Sequence, residues 1–290
     1  MSGILVTARD LADALAGPNP PAVLDVRYGG AAGERPGGRG VYETGHIPGA
    51  VYADIDQDLA AHGLPATEGR HPLPAPADLQ AAARRWGIRE GQPVVVHDDF
   101  KNFWAARAWW LLTYAGIAEV RLLDGSLRAW RSAGLPLETG DVVPPPGDVT
   151  LSYGHLPLLD IDGAGDFPDA GVLLDSRAHE RYTGDVEPID PRAGHIPGAK
   201  NSPIGGLTDE DGRFLPAAAL RERYAALGVV DGTPVATYCG SGITASYQAA
   251  ALTIAGFAPI LYPGSFSQWA NSEREVAVGD EPYAPGEELD

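Results

Sequence analysis

Cys239 is the one cysteine of the chain, and it follows an apolar run and directly precedes Gly240, Ser241 and Gly242. The glycines let the backbone curl so that successive N–H groups point inward. The alanine-rich segment after them predicts a helix, with Ser241 or Thr244 as its N-terminal cap. Inward N–H groups and the positive end of a helix favour the thiolate, which is the nucleophilic form of cysteine. The alternative is a buried, unreactive cysteine, but the strand-to-helix turn favours a nucleophile.

The composition limits the other kinds of chemistry. A formal net charge of −18 over 290 residues disfavours nucleic acid, because phosphate binding needs clustered Lys and Arg. A single cysteine excludes an intrachain disulfide and a cysteine-rich metal site, and the histidines show no metal-binding spacing, so no metal or cofactor is predicted. No apolar run approaches the ~20 residues of a membrane span, and the first residues lack the features of a secretory signal. We therefore expect a cytoplasmic protein without a membrane partner.

An internal repeat organises the chain. The sequence Gly-His-Ile-Pro-Gly-Ala at residues 45–50 recurs at residues 194–199. Further matches pair 23–27 with 173–177 and 123–130 with 262–269. Units of this length that match in the same order indicate two similar domains rather than a solenoid.

The pattern of elements predicts an α/β fold for each half. Short β-branched runs alternate with alanine-rich stretches, which is typical of a mostly parallel sheet with helices on both faces. The predicted strands are 23–26, 94–97, 120–123, 172–175, 235–238 and 260–262, and the predicted helices include 77–86, 104–115, 215–227 and 244–255. The predicted domains are 1–140 and 158–290, joined by a proline-rich linker over 141–157. Such sheets bind ligands beyond the carboxyl ends of their strands, where Cys239 lies.

The chain resembles the rhodanese family over nearly its whole length. The resemblance rests on the tandem domains, the repeated Gly-His-Ile-Pro-Gly-Ala sequence, the strand end at 175–177 and the cysteine loop. It implies two tandem rhodanese-like domains and a sulfurtransferase. In that reaction Cys239 takes a sulfane sulfur from a small anionic donor, becomes a persulfide, and passes the sulfur to a thiol, a thioredoxin-like protein or cyanide. The first domain has Asp98 at the position of Cys239 and is predicted to be non-catalytic, because an aspartate cannot carry a persulfide.

The resemblance also predicts the donor site. Residues 239–244 are similar to the loop of 3-mercaptopyruvate sulfurtransferases, whereas thiosulfate sulfurtransferases carry basic residues where this chain has Gly240 and Ser241. The family further implies one substrate arginine at Arg181 and a second at Arg192. The predicted substrate-binding residues are Arg181, Arg192, Gly240, Ser241, Gly242, Ile243 and Thr244. An ion pair is the alternative for Arg181, and Asp175 and Arg177 are predicted to be structural.

His46 and His195 occupy the same place in the repeat. A histidine in such a turn is expected to bond a nearby backbone carbonyl. The resemblance offers a second role for His46, in a relay with Ser241 and an aspartate, but residues 35–39, where that aspartate is expected, contain no acid. The sequence therefore favours Ser241 as a hydrogen-bond donor to the persulfide or to the substrate.

Three functions remain open. A sulfurtransferase that uses 3-mercaptopyruvate is favoured, because its carboxylate can meet Arg181 and the loop is neutral, whereas the thiosulfate dianion gains more from a basic loop. The alternatives are a thiosulfate-preferring rhodanese and a carrier that holds sulfur without turnover. A cysteine phosphatase is disfavoured because Ala245 stands where a phosphate-binding arginine is needed. A serine hydrolase is disfavoured because Ser241 lies outside the pattern G-x-S-x-G.

Overall fold

The computed structural model describes residues 3–29 and 38–280, and the chain divides into two compact units. The N-terminal unit comprises Met1–His62, Leu73–Leu156 and Thr208–Phe214. The C-terminal unit comprises Gly63–Pro72, Pro157–Leu207 and Leu215–Asp290. Each unit thus includes a short segment from the other half of the sequence. The domain limits predicted at residues 140 and 158 stay a prediction.

The N-terminal unit is built on a five-stranded sheet. Its strands are β1 (Leu5–Val6), β2 (Ala22–Asp25), β3 (Val51–Tyr52), β4 (Val94–His97) and β5 (Val120–Leu123). They lie in the order β1-β5-β4-β2-β3, and each of these pairings is parallel. The helices are α1 (Ala8–Leu15), α2 (Gly38–Thr44), α3 (Ile55–Asp58), α4 (Pro76–Arg85), α5 (Ala105–Tyr114) and α6 (Ser126–Ser132). The central strand β4 is buried along its whole length, as its run of valines predicts.

The C-terminal unit repeats this plan with a four-stranded sheet. Its strands are β6 (Val172–Asp175), β7 (Lys200–Asn201), β8 (Val235–Tyr238) and β9 (Ile260–Leu261). Their order is β7-β6-β8-β9, again with parallel pairings. The helices are α7 (Ile161–Asp166), α8 (His179–Thr183), α9 (Ala217–Ala225), α10 (Ile243–Ile254) and α11 (Ser265–Trp269), with short 3-10 helices at Ala66–Glu68 and Phe167–Asp169.

The predicted α/β class and parallel sheets are confirmed. Strands β4, β5, β6 and β8 have the predicted bounds, and the predicted helices occur within one or two residues of their expected ends. The two-residue strands β1, β3 and β7 were not predicted, because two residues are too few to show a hydrophobic pattern. In the described parts of the chain, no helix is both long and apolar enough to cross a membrane.

The sequence repeat corresponds to equivalent packing in the two units. Trp130 lies in the core of the N-terminal unit, and Trp269 lies in the core of the C-terminal unit. The Nε1 atom of Trp130 donates to the carbonyl of Pro136 at 2.8 Å, and that of Trp269 donates to the carbonyl of Glu275 at 2.7 Å. Each indole therefore buries its rings and still satisfies its polar N–H.

A buried aspartate–arginine pair lies at the carboxyl end of β2 in the N-terminal unit and of β6 in the C-terminal unit. Asp25 binds the guanidinium of Arg27, which also donates to the carbonyl of Gly45 at 2.9 Å. In the C-terminal unit Asp175 binds Arg177, which donates to the carbonyl of Gly194 at 2.7 Å. These bonds attach each strand end to the repeated Gly-His-Ile-Pro-Gly-Ala segment and agree with the structural role predicted for Asp175 and Arg177.

Asp98 occupies the place in the N-terminal sheet that Cys239 occupies in the C-terminal sheet. Asp25 pairs with His97 and Asp175 pairs with Tyr238, so the next residues correspond. The carboxylate of Asp98 is fully buried and accepts four backbone N–H bonds of 2.7 to 3.1 Å. The donors are the amides of Phe100, Asn102, Trp104 and Ala105. Burial raises the pKa of Asp98 to about 6 from its ordinary value of 3.8, although the four amides oppose that shift.

This raised pKa predicts a pH-dependent stability difference between the wild-type chain and Asp98→Asn. Between about pH 4 and pH 6 the folded protein keeps a proton that the unfolded chain loses, so the stability of the wild type falls relative to the variant by about 3 kcal/mol and levels off above the folded pKa. Denaturant unfolding of both proteins from pH 4 to pH 8 measures this difference. The control is Asp99→Asn at the exposed neighbouring position, which should show no such trend. A difference that is flat with pH for Asp98→Asn would contradict the assignment.

Candidate active site

The sulfur of Cys239 lies at the carboxyl end of β8, inside the curled loop that begins α10. Cys239 is 1% exposed, and its Sγ accepts the N–H groups of Ser241 at 3.4 Å and Gly242 at 3.1 Å. Gly242 has a φ of +86°, and a Cβ there would lie 2.5 Å from the carbonyl oxygen of Pro263. Only glycine fits this turn without strain, and the turn aims two backbone donors at the sulfur.

The segment that contains α11 supports the loop from the other side. Ser265 Oγ accepts the N–H of Cys239 at 3.2 Å, and Phe266 N donates to the carbonyl of Cys239 at 2.8 Å. Ser267 N donates to the carbonyl of Gly240 at 2.9 Å. Ser265 holds a φ of +53°, which is unusual for a non-glycine residue. The repeat at 262–269 therefore positions the cysteine loop through its backbone.

The predicted capping of α10 was wrong. The residue at the N-cap position is Gly242, which has no side chain to offer. Ser241 Oγ instead lies 2.7 Å from Nδ1 of His71. Ile243 is buried and Thr244 is half-buried in the first turn of the helix. The backbone N–H of Gly242, at the N-cap position itself, donates to the sulfur of Cys239 at 3.1 Å.

Two arginines border the loop at Gly240. A Cβ at Gly240 would lie 2.9 Å from Nη2 of Arg70 and 3.5 Å from Nη1 of Arg181. The predicted substrate residue Arg181 is thus brought to the loop. Arg70 joins it from Gly63–Pro72, where its own N–H donates to Ser267 Oγ at 3.0 Å.

Both arginines belong to a series of alternating charges. From the end of β6 the series runs through Asp175, Arg177, Glu187, Arg181, Asp190 and Arg70. Glu187 and Asp190 are almost fully buried at their side chains. Burial opposes ionisation of Glu187, but hydrogen bonds from Arg181 and two backbone amides hold its pKa below its usual range. Burial raises the pKa of Asp190, and Arg70 opposes that shift. The ion-pair alternative for Arg181 is therefore realised in a residue that also borders the loop.

Arg70, His71 and Asp190 were missed from the sequence. None of the three is among the residues that the sequence predicts for the site. Arg70 and His71 lie in the N-terminal half of the sequence, in a segment with one short 3-10 helix and no hydrophobic pattern. The adjacent Arg70-His71 pair was the available signal, but nothing in the sequence indicates that Gly63–Pro72 packs in the C-terminal unit.

Arg192 lies in a different environment. Its guanidinium donates to the carbonyls of Trp269, Ala270, Ser272 and Arg274 at 2.6 to 3.0 Å. These carbonyls belong to the end of α11 and the residues after it, where backbone acceptors lack partners within the helix. The structure thus gives Arg192 a role in stabilising the end of a helix, and its role in donor binding stays a prediction.

The two repeat histidines bond backbone carbonyls, as predicted. His46 Nδ1 lies 3.0 Å from the carbonyl of Tyr42, and His195 Nδ1 lies 2.8 Å from the carbonyl of Tyr182. Both rings are buried and stacked on the same tyrosines. Ser241 bonds His71 instead. Residues 35–37, which belong to the segment where a relay aspartate is expected, lie outside the described residues.

The chemistry available here is nucleophilic attack by sulfur. The cysteine side chain has two backbone donors, a serine–histidine pair and two guanidinium groups around the same loop. Backbone donors stabilise a sulfur anion, and guanidinium forks bind carboxylates or sulfur oxyanions. Across residues 3–29 and 38–280, no group of three or more His, Cys, Asp or Glu side chains is placed to hold a metal ion.

Comparison with known proteins agrees with this geometry. A model of the rhodanese-like domain matches residues 7–133 and 162–272. A putative thiosulfate sulfurtransferase of Mycobacterium tuberculosis, SseB, is 46% identical over 274 residues, which is 92% of this chain and 94% of that protein. A probable 3-mercaptopyruvate sulfurtransferase of Pseudomonas aeruginosa is 46% identical over 290 residues, covering 96% of this chain and 99% of the relative.

A solved structure supports the same relationship. The crystal structure of SseA from Escherichia coli, described as a 3-mercaptopyruvate sulfotransferase with a rhodanese fold, matches with a TM-score of 0.81 at 31% identity. The match covers 91% of this chain and 99% of that structure. With two matched domains, relatives over most of its length and this cysteine loop, the chain belongs to the rhodanese family.

Proposed function

We propose that the chain is a sulfurtransferase that moves a sulfane sulfur from 3-mercaptopyruvate, through a persulfide on Cys239, to a thiol, a thioredoxin-like protein or cyanide. The observation that carries the proposal is the loop itself. The sulfur of Cys239 accepts two backbone N–H groups, and two guanidinium groups border the same loop at Gly240. A nucleophilic sulfur and a receptor for a small anion therefore stand side by side.

The first half-reaction loads the cysteine. The thiolate electron pair of Cys239 forms an S–S bond to the donor sulfur as the C–S bond of the donor breaks. The carbon fragment leaves as an enolate and takes up the proton released by the outer sulfur, which gives pyruvate. The donor carboxylate is bound by Arg181 and Arg70, and the N–H groups of Ser241 and Gly242 stabilise the charge on sulfur.

Ser241 and His71 act on the carbonyl of the donor. Their side chains are 2.7 Å apart. When the proton is on Nδ1 of His71, the imidazole donates to Ser241 Oγ and leaves the serine hydroxyl hydrogen for the donor oxygen. A hydrogen bond there stabilises the enolate as it forms, because negative charge develops on that oxygen.

The second half-reaction unloads the cysteine. The acceptor attacks the outer sulfur, the S–S bond breaks, and the electron pair returns to Cys239 as a thiolate. With cyanide the product is thiocyanate, and with a thiol it is a new persulfide. We also propose that the protein works in a reducing compartment such as the cytoplasm, where a free thiol persists.

Two features favour 3-mercaptopyruvate over thiosulfate. Residues 240–244 carry no charged side chain, and the two arginines near Gly240 are already paired with Glu187 and Asp190. A monoanionic carboxylate needs less positive charge than a dianion does.

The experiment that tests the proposal is a paired steady-state assay with cyanide as acceptor. We expect kcat/KM for 3-mercaptopyruvate to exceed that for thiosulfate by about tenfold or more. Cys239→Ala should abolish turnover of both donors with an unchanged circular dichroism spectrum, since the nucleophile is lost and the change is small. Residual activity in this variant would contradict the persulfide mechanism. Thiosulfate as the better donor would support the thiosulfate-preferring alternative, and one loading event without turnover would support a carrier.

Replacement of the loop arginine should weaken donor use. Arg181→Ala should lower kcat/KM for 3-mercaptopyruvate by roughly 10–100-fold, the equivalent of about 1.5–3 kcal/mol for a charged hydrogen bond. Arg181→Lys keeps the positive charge but loses the two-pronged guanidinium, so its kcat/KM should lie between that of the wild type and that of Arg181→Ala. Arg221→Ala, which removes an arginine from an ion pair with the exposed Asp231, controls for the loss of positive charge in the same unit. Unchanged kinetics in Arg181→Ala would place this arginine outside the donor site.

The backbone donors can be tested with a matched pair of glycines. Gly242 and Gly232 share a φ of +86°, but a Cβ at Gly242 meets the carbonyl of Pro263, whereas Gly232 has no atom within 4 Å. Gly232→Ala should cost about 1 kcal/mol of stability and leave the activity unchanged. Gly242→Ala should cost about 1–3 kcal/mol and reduce kcat/KM at least about tenfold, because the loop must shift its N–H groups away from the sulfur. Thermal unfolding measures the loss of stability, and the donor assay measures kcat/KM. Equal activity in the two variants would contradict a role for the loop N–H groups in stabilising the sulfur of Cys239.

A further inference from the structure

Asp190 lies between the two arginines that border the cysteine loop. Its side chain is 2% exposed. Oδ1 pairs with Nη1 of Arg70, and Oδ2 accepts from Nη2 of Arg181 at 3.0 Å. The carboxylate therefore joins two guanidinium groups that come from distant parts of the sequence.

Each arginine has one nitrogen on Asp190 and another near the loop. Nη2 of Arg70 and Nη1 of Arg181 are the atoms closest to the Cβ position of Gly240. The opposite Nη atoms of the same two groups bind Asp190. Asp190 holds the far edge of both forks, and Glu187 also binds Nε and Nη2 of Arg181, so that both forks face the sulfur loop.

The formal charges around these forks cancel. Arg70 and Arg181 are matched by Asp190 and Glu187, and both carboxylates are buried at their side chains. Residues 240–244 add no charged side chain. A bound anion would have hydrogen-bond donors available but would find no excess of positive charge in this group of four.

We propose that Asp190 is a specificity-determining residue, which makes the donor site select monoanionic sulfur donors and reject dianionic ones. This inference rests on the proposed function of the Cys239 loop. One negative charge can be carried by the two forks while Asp190 holds their far edges. A second negative charge on the ligand meets the carboxylate of Asp190 without a further cation to balance it, and the repulsion is strong because the carboxylate is buried.

The first experiment measures binding without turnover. In a Cys239→Ala background, titration calorimetry compares pyruvate, a monoanion, with thiosulfate, a dianion, in the presence and absence of Asp190→Asn. We expect Asp190→Asn to tighten thiosulfate binding by about tenfold or more and pyruvate binding by no more than about threefold, because the removed charge acts on two ligand charges instead of one. Equal factors for the two ligands, or no gain for thiosulfate, would overturn the inference.

Three variants control this result. Asp190→Glu keeps the charge and should keep the preference for pyruvate. Asp231→Asn removes one negative charge from an exposed ion pair in the same unit and should change neither affinity. Asp190→Ser removes the charge with a smaller side chain, and it provides the same comparison if the asparagine variant does not fold. A shift in Asp231→Asn equal to that in Asp190→Asn would assign the effect to net charge and contradict a local site.

The second experiment separates this inference from the proposed function. With Cys239 intact, Asp190→Asn should raise the ratio of kcat/KM for thiosulfate to that for 3-mercaptopyruvate by about tenfold, mainly through the KM of thiosulfate. If the wild-type chain turns over neither donor, the proposed function fails, whereas the calorimetric ratio still tests Asp190. If the wild type transfers sulfur but Asp190→Asn changes neither the affinity ratio nor the kcat/KM ratio of the two ligands, the specificity role of Asp190 is wrong and the proposed function stands.

Discussion

At the carboxyl end of β4 in one unit and of β8 in the other lies a buried side chain that accepts hydrogen bonds from backbone N–H groups. In the N-terminal unit the group is the carboxylate of Asp98, which accepts four amides. In the C-terminal unit it is the sulfur of Cys239, which accepts two. Parallel sheets leave this edge open to loops, so the loop that follows β4 or β8 must curl to supply donors. In the loop after β8 this shape is accompanied by the positive φ of Gly242, by the hydrogen bond from Cys239 N to Ser265 Oγ and by that from Phe266 N to the carbonyl of Cys239.

The same arrangement places chemically different side chains at corresponding positions of the two units. The carboxylate of Asp98 saturates its loop with its own oxygens, and a carboxylate cannot accept a sulfur atom. Cys239 leaves a sulfur where a donor can react. The alternating charges from Asp175 to Arg70 connect the strand end to the cysteine loop, and each buried charge in that series is neutralised by its neighbour. Such a series is costly to break, because removal of one member leaves another charge buried and unpaired.

The sequence was sufficient for the features that have a local pattern. Strands such as β4 and β8 are short runs of buried apolar residues, and the loop at Cys239 combines glycines with a following helix, so both could be predicted. The correspondence of Asp98 with Cys239 followed from the repeat. Arg70 and His71 could not be predicted, because their position depends on how Gly63–Pro72 packs in the C-terminal unit. The cap predicted at Ser241 or Thr244 was wrong because α10 begins at Ile243, which puts Gly242 at the N-cap position, and the hydroxyl of Ser241 contacts His71 instead.

The acidic composition of the chain and the local neutrality of the arginine cluster together determine how a small anion can bind. A net charge of −18 repels anions at long range, so a small anionic donor gains nothing from the overall field. Two arginines whose charges are cancelled by Asp190 and Glu187 do not reverse that field, but they offer oriented N–H donors at short range. Oriented N–H donors select a ligand whose acceptor atoms match their positions and which carries a single negative charge. An excess of cations instead binds a ligand more tightly the more negative charge it carries. A buried carboxylate next to the arginines therefore limits donor charge in a way that a neutral loop sequence alone cannot.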